Sequence, residues 1–301
     1  MKTVGFVGLG IMGKAMVKNL CKAGIAPLIY DIARLQKKDA PFAEELLALG
    51  AVPKNAEQIG AESDILFLML NDGPTVQKLL FEEGVANHLR PGSIVCDFSS
   101  VSPVESVFCA DKLFASGVAF MDAPVSGGDK GAIEGTMSIM AGGNEEIFDT
   151  LKPYFDILGG SSILMGDVGA GSATKLVNQI IVGLNLVAIS EGFVLAAKAG
   201  ADPKKVYDAI KGGLAGSAVL EQKIDRILQH DYRPGGRMTI HQKDIRNVMS
   251  AAAKLNVPLP FTSQLAAVFD ALEAAGRMDD DHSGIIQYFE SLADVVVKQQ
   301  S

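Results

Sequence analysis

The chain has 301 residues, 48% hydrophobic and 21% charged, which is typical of a soluble globular protein and excludes disordered, collagen-like and coiled-coil chains. The net charge is −8, and no basic block is present, so we expect no nucleic-acid partner. Three scattered cysteines, Cys21, Cys96 and Cys109, form no CxxC pair, and the four histidines lack metal-ligand spacing. We therefore expect no disulfide framework, no metal, and a reducing, cytoplasmic compartment, with the histidines in surface or capping roles.

The first half of the chain alternates short apolar runs with helical patterns. Helices are predicted at 14–23 and 42–49, each ended by a glycine. Uniformly apolar strands separated by helices favour a parallel sheet covered on both faces, so the fold class is α/β. The predicted strands are 4–7, 27–30, 65–70, 94–98, 118–122, 137–140 and 162–165.

The second half is predicted to be entirely helical, beginning with one long helix at 172–199. Its uncharged stretch, 176–190, is shorter than the roughly 20 residues of a membrane span, so we expect no membrane partner. The change in character predicts two domains, 1–167 and 168–301. Further helices are predicted from Pro203 and at 218–228, 241–255, 262–275 and 285–297.

A glycine-rich turn follows the first strand and opens the first helix, which is the context of a dinucleotide-binding GxGxxG motif. The first glycine allows the tight turn, the second lets the backbone approach a pyrophosphate, and the third permits close helix–strand packing. The predicted cofactor-binding residues of this turn are Gly8, Leu9, Gly10, Ile11, Met12 and Gly13.

Asp31 ends the second predicted strand, 18 residues after Gly13, where an acidic residue would accept hydrogen bonds from the ribose hydroxyls of NAD. The same carboxylate would repel a 2′-phosphate, so NAD is the predicted cofactor. NADP remains the alternative, because Arg34, Lys37 and Lys38 follow closely and could pair with a phosphate.

Four segments together resemble the β-hydroxyacid dehydrogenase family: 6–13 (FVGLGIMG), 122–128 (DAPVSGG), 169–178 (GAGSATKLVN) and 241–244 (HQKD). The resemblance covers the whole chain. It implies an N-terminal doubly wound Rossmann-type domain followed by an all-helical domain, joined by a long interdomain helix. It also implies a homodimer or homotetramer that acts on a small-molecule carboxylate substrate.

Lys175 and Asn178 are the predicted catalytic residues, because they are three residues apart and share one helix face. Reduction of an aldehyde needs an acid for the developing alkoxide, and a desolvated lysine suits this role. Asn178 could hydrogen-bond the reacting oxygen or hold the lysine amine. Taken alone, both residues would be interpreted as solvated positions on a helix surface; the resemblance favours catalysis.

The loop of Ser126, Gly127 and Gly128 follows a strand and, by resemblance, holds the substrate carboxylate; a plain turn is the alternative. Lys243 resembles the family lysine near nicotinamide and substrate, although it could simply pair with Asp244. By resemblance, Leu70, Asn71 and Ser100 should line the cofactor. Ser217 is expected to reach the substrate from the helical domain.

The predicted reaction is therefore NAD(H)-dependent reduction of a short semialdehyde to a 3-hydroxy acid. The segment 212–217 resembles the tartronate semialdehyde reductases, which implies reduction of tartronate semialdehyde to glycerate. Alternatives in the same class are 3-hydroxyisobutyrate dehydrogenase and an NADPH-dependent glyoxylate or succinic semialdehyde reductase. A non-enzymatic dinucleotide-binding module is the alternative from another class, and Lys175 with Asn178 argues against it.

Overall fold

The computed structural model describes residues 2–31 and 41–298, so the predicted phosphate partners Arg34, Lys37 and Lys38 lie outside the described residues. The packing divides the chain into two compact units, Met1–Lys175 and Leu176–Ser301. The sequence-based boundary between residues 167 and 168 lies eight residues earlier (175 against 167), and these domain limits stay a prediction.

The first unit contains a six-stranded sheet, all of whose strands are parallel, in the order β3-β2-β1-β4-β5-β6. This is the strand order of a doubly wound dinucleotide-binding domain, and it confirms the predicted fold class. The strands are β1 (Val4–Val7), β2 (Leu28–Tyr30), β3 (Val52–Pro53), β4 (Ile65–Leu68), β5 (Ile94–Asp97) and β6 (Ala119–Asp122).

Both faces of this sheet are buried, because side chains alternate along each strand and both sets meet apolar partners. On β4, Ile65 and Phe67 join one core cluster, whereas Leu66 and Leu68 join another. All four are fully buried. This double burial explains why β4 is apolar at every position.

Two predicted strands lie outside that sheet. They are β8 (Met137–Ala141) and β9 (Gly159–Leu164), which pair in parallel, and β8 also pairs antiparallel with β7 (Val125–Ser126). The expectation of a single sheet is therefore wrong in this region. Apolar runs indicate strands, but they carry no information on which strand is the neighbour.

Two helices in the first unit begin at capping boxes, which Asn55 forms with Gln58 and Ser102 forms with Glu105. The helices are α1 (Ile11–Lys22), α2 (Pro41–Ala48), α3 (Ala56–Glu62), α4 (Gly73–Gln77, continued by a π-helical turn at Lys78–Glu82), α5 (Val85–His88), α6 (Pro103–Phe114), α7 (Gly128–Glu134) and α8 (Glu145–Leu158).

A long helix, α9 (Ala170–Lys198), begins in the first unit and continues into the second, in agreement with the predicted helix at 172–199. By length and composition α9 could cross a membrane, although the core helix of a soluble protein passes the same test. The other helices of the second unit are α10 (Pro203–Ile210), α11 (Ala218–Gln229), α12 (Met238–Leu255), α13 (Pro260–Ala274) and α14 (Ile286–Ala293, preceded by a 3-10 turn at His282–Ile285).

The start of α9 is fixed by the carboxylate of Asp122, the last residue of β6. Its Oδ1 accepts a hydrogen bond from the backbone N–H of Gly169 at 2.7 Å, and its Oδ2 accepts one from Ser172 at 2.6 Å. Asp122 is fully buried, and this burial raises its pKa while the two N–H donors oppose the shift. The carboxylate thus satisfies helix-terminal donors that would otherwise be buried without partners.

We expect Asp122→Asn to lower the free energy of unfolding by about 1–3 kcal/mol. The asparagine carboxamide has one acceptor and one donor end, so its NH2 group must face one of the two N–H groups. Urea unfolding measures the change. Asp111→Asn, on the exposed face of α6, is the control and should stay within about 0.5 kcal/mol of the unsubstituted protein; equal values for the two variants would contradict the clamp.

Candidate active site

The three motif glycines have different surroundings, which separates their roles. A Cβ atom built on Gly8, whose φ is +96°, would lie 2.2 Å from the carbonyl oxygen of Met69. One on Gly13 would lie 1.9 Å from the carbonyl oxygen of Gly8. A Cβ on Gly10 would meet no protein atom within 4 Å. Gly8 and Gly13 are therefore required by packing, whereas the space beside Gly10 fits the approach of a pyrophosphate.

The first turn of α1 begins directly after this space, with Gly10 as its N-cap and with no acidic residue. The N-terminal N–H groups of a helix have no intrahelical acceptor, and the helix dipole makes this end positive. Residues 8–13, including Leu9, Ile11 and Met12, therefore form a turn whose chemistry suits an anionic phosphate group.

Asp31 lies directly after β2 and is buried, at 8% exposure. Its Oδ2 accepts a hydrogen bond from the backbone N–H of Leu9 at 3.0 Å. The predicted ribose-binding carboxylate thus also holds the glycine turn in place, a second role that the sequence did not predict. The spacing of 22 residues between the two partners is that of one strand–helix–strand unit.

Leu70 and Asn71 follow β4, and Ser100 follows β5, so both segments lie at the carboxyl edge of the sheet. The hydroxyl of Ser99 accepts a hydrogen bond from the N–H of Leu70 at 2.8 Å and joins the two segments. Carboxyl edges near the reversal of strand order are where doubly wound sheets bind ligands. These positions are compatible with the predicted cofactor contacts.

Ser126 ends β7, and Gly127 and Gly128 follow with φ angles of +140° and +65°. Both glycines are exposed, and a Cβ on Gly128 would meet no protein atom within 4 Å. The positive φ at both positions favours glycine whether or not a ligand binds. The loop therefore satisfies the turn alternative and equally offers backbone N–H groups to a carboxylate.

Lys175 lies in the first turns of α9, three residues after Ser172, whose N–H binds Asp122. Its side chain is buried, with 8% of its surface exposed. Ser172 is also held through its hydroxyl, 3.0 Å from that of Ser106. The segment that carries Lys175 is thus fixed on two sides within the first unit.

In the second unit, a chain of polar contacts joins Asn178 to Lys243. Asn178 Nδ2 donates to Gln179 Oε1 at 2.8 Å, and Gln179 Nε2 donates to Asp244 Oδ2 at 2.6 Å. Asp244 Oδ1 lies 3.0 Å from the Lys243 ammonium. The local Lys243–Asp244 pair, given above as the alternative role of Lys243, is therefore present. Gln179 also belongs to this region, and the sequence did not predict it.

Ser217 caps helix α11, because its hydroxyl accepts a hydrogen bond from the N–H of Leu220 at 3.1 Å. This contact accounts for a serine here without any ligand. Its predicted contact with substrate stays a prediction.

His241 lies in the interior and His282 is half-buried beside it, so the expectation of surface or capping roles is wrong for this pair. His241 Nδ1 and His282 Nδ1 are 3.1 Å apart, and His241 is 2% exposed. Burial lowers the pKa of His282 to about 3, with help from Lys223, so the imidazole is neutral at physiological pH. Among the described residues, no group of three or more His, Cys, Asp or Glu could hold a metal ion.

Comparison with known proteins gives a match over nearly all of the chain. The model of the NAD binding domain of 6-phosphogluconate dehydrogenase matches residues 3–166, and that of the NAD-binding region of NADP-dependent 3-hydroxyisobutyrate dehydrogenase matches residues 169–289. The chain belongs to the β-hydroxyacid dehydrogenase family. It is a NAD(P)-dependent oxidoreductase, as the motifs predicted.

Individual relatives agree with this family. The chain is 41% identical to 2-hydroxy-3-oxopropionate reductase of Escherichia coli, covering 96% of this chain and 98% of the relative. It is 33% identical to 2-(hydroxymethyl)glutarate dehydrogenase of Eubacterium barkeri, over 98% of this chain and 97% of the relative. The structure of Mycobacterium tuberculosis 3-hydroxyisobutyrate dehydrogenase with L-serine is similar at a TM-score of 0.87 and 30% identity, covering 96% and 99%.

We expect Gly10→Ala and Gly13→Ala to fail in different ways. Alanine at position 10 contacts no protein atom, so the free energy of unfolding should fall by less than about 1 kcal/mol. The dissociation constant for NADH should rise about tenfold or more. Alanine at position 13 overlaps a carbonyl oxygen and should lower the melting temperature strongly. Calorimetry of binding and of unfolding checks both, and normal NADH affinity in Gly10→Ala would contradict the assigned space.

Proposed function

We propose that the protein reduces a short semialdehyde carrying a carboxylate to a 3-hydroxy acid, with Lys175 as the general acid. The supporting observation is a buried lysine in the helix segment that Asp122 fixes to the sheet. Bound NAD(H) supplies the hydride. Lys175 donates a proton from Nζ to the oxygen that becomes the alcohol, and accepts it in the reverse reaction.

The cofactor preference is proposed to be NAD. Asp31 presents a carboxylate at the end of β2, where a 2′-phosphate would meet like charge. The remaining cofactor contacts are proposed to come from the glycine turn at residues 8–13 and from Leu70, Asn71 and Ser100.

The substrate carboxylate is proposed to bind the exposed loop of Ser126, Gly127 and Gly128, with Lys243 as a further cationic contact. Tartronate semialdehyde, which is 2-hydroxy-3-oxopropionate, is the leading substrate because the relative with 41% identity is named for its reduction. The relatives named for 2-(hydroxymethyl)glutarate and L-threonate stand at 33% and 31%. 3-Hydroxyisobutyrate and succinic semialdehyde stay as alternatives of the same class.

A substrate panel tests the assignment. We expect NADH oxidation with tartronate semialdehyde to exceed, in kcat/KM, that with succinic semialdehyde, methylmalonate semialdehyde and glyoxylate, and to exceed the NADPH reaction. Succinic semialdehyde has one more carbon between its aldehyde and its carboxylate, and one methylene changes discrimination by about 1–3 kcal/mol, so a ratio of roughly 10 to 200 is expected against this substrate. Absorbance at the NADH band gives each rate, and preference for a longer semialdehyde or for NADPH would overturn the substrate or cofactor assignment.

Lys175→Met is the matched variant for this panel, because methionine keeps the length of the buried stem and removes the proton donor. We expect kcat to fall by about 10² to 10⁴, with the NADH dissociation constant unchanged. A variant that retained full turnover would assign the acid to another group.

We also propose that the second unit associates with a second copy of the chain, as a homodimer or homotetramer. Val177, Ile181 and Leu195 are each more than half exposed, and Leu195 lies five helical turns after Val177 on the same face of α9. Only 33% of the most apolar window of this helix is buried. An exposed apolar stripe of this length suits an interface between copies.

Substitution of Leu195 by Glu places a charge in that stripe, so we expect the oligomer to dissociate at micromolar concentration. Phe114→Glu is the control, because Phe114 is even more exposed than Leu195, at 83% against 70%, but lies at the end of α6 in the first unit. Light scattering after size exclusion gives the mass of each variant; an unchanged oligomer for Leu195→Glu, or a monomeric unsubstituted protein, would contradict the proposed interface.

The proposed compartment is the reducing cytoplasm. Cys21, Cys96 and Cys109 are all free thiols, and the last two are buried. Burial raises the pKa of the Cys109 thiol to about 12, which keeps it protonated and unreactive.

A further inference from the structure

The amide of Gln179 connects Asn178, a predicted catalytic residue, with Asp244, the carboxylate that pairs with Lys243. It accepts from the carboxamide of Asn178 at 2.8 Å through Oε1, and it donates to the carboxylate of Asp244 at 2.6 Å through Nε2. Asp244 in turn lies 3.0 Å from the ammonium of Lys243. Gln179 and Asp244 are buried, with 9% and 3% of their surfaces exposed.

The direction of these hydrogen bonds follows from charge. An ionised carboxylate only accepts, so Asp244 must face the NH2 end of Gln179. The carbonyl end of Gln179 then faces Asn178, which must present its own NH2 group. Through Gln179, the charge of Asp244 therefore fixes the orientation of the Asn178 carboxamide, and with it the position of the acceptor Oδ1.

We propose that Gln179 and Asp244 are positioning residues that fix the Asn178 carboxamide with its acceptor oxygen presented to the reactants, and that hold Lys243 beside it. This inference rests on the proposed function, with the predicted catalytic role of Asn178 and the proposed substrate contact of Lys243. It assigns to Asn178 Oδ1 the role of accepting a hydrogen bond from a hydroxyl or an ammonium group, while one hydrogen of Nδ2 is donated to Gln179.

The variant Gln179→Glu tests the polarity of this chain. At acid pH, one proton shared between Glu at position 179 and Asp244 replaces the amide donor, and the carbonyl end still accepts from Asn178. At higher pH both carboxyl groups ionise, at positions whose polar atoms are now 2.6 Å apart, and their repulsion disrupts the hydrogen bonds between Asn178, residue 179 and Asp244. We expect kcat near the unsubstituted value at pH 5.5 and about tenfold below it at pH 8, with NADH affinity unchanged at both.

Other titratable groups face the same region. Lys243 pairs with Asp244, and His241 contacts the backbone oxygen of Gln179 through Nε2 at 3.3 Å and His282 through Nδ1. All of them are present in the unsubstituted protein, so its own pH profile, measured in parallel, accounts for their titration.

Gln242→Glu is the matched control. Gln242 is 4% exposed, and its Nε2 donates to Glu273 at 2.8 Å and to Asp270 at 3.2 Å, so the substitution also places a carboxylate against acidic side chains next to Lys243; here Arg246 contacts both acidic partners. It does not touch Asn178. We expect its thermal stability to fall as the pH rises, while its kcat follows the profile of the unsubstituted protein.

The double variant Gln179→Glu/Asp244→Asn reverses the donor and the acceptor and should rescue the reaction. The asparagine NH2 donates to the glutamate, which still accepts from Asn178, so kcat should lose its excess pH dependence. KM for substrate should rise above the unsubstituted value, because Asp244→Asn removes the carboxylate that pairs with Lys243. A Gln179→Glu profile parallel to that of the unsubstituted protein, or one matched by Gln242→Glu, overturns the positioning role; an unsubstituted protein without reductase activity overturns the proposed function instead.

Discussion

The carboxylate of Asp122 is the interaction on which the placement of Lys175 depends. Asp122 is the last residue of β6, in the six-stranded sheet. Its carboxylate accepts hydrogen bonds from the N–H groups of Gly169 and Ser172 at the start of α9. A Cβ atom on Gly142 would lie 2.6 Å from this carboxylate, so the approach requires a glycine there. Burial raises the pKa of Asp122, which shows that fixing the helix start has a cost in solvation.

The site region combines positions required by packing with positions that the protein itself leaves open. Gly13 is held against the backbone of Gly8, so its lack of a side chain serves the fold. Gly10 and Gly128 face no protein atom within 4 Å, so the space beside them is available to ligands. A stability measurement and a binding measurement therefore report on different glycines, although all of them belong to short glycine-rich motifs.

Most of the fold was predictable because its signals are local. The bounds of β1 were predicted without error, and those of α9 to within two residues, since long periodic or uniformly apolar segments are the most reliable signals. The two-residue strands β3 and β7 are too short to show a pattern. In the site region, the glycine turn and Asp31 lie close in sequence, but the Gln179–Asp244 contact spans 65 residues and has no sequence signature. The buried pairing of His241 with His282 was missed for the same reason.

The hydrogen bond between Asp31 and the N–H of Leu9 has a consequence for redesign of cofactor preference. Replacing this aspartate to admit a 2′-phosphate also removes the acceptor that braces the glycine turn. An engineered NADP-dependent form would therefore need a residue that keeps a short acceptor, such as asparagine or serine, together with a new cationic partner. The proposed discrimination between the two cofactors and the observed shape of the glycine turn thus depend on the same side chain.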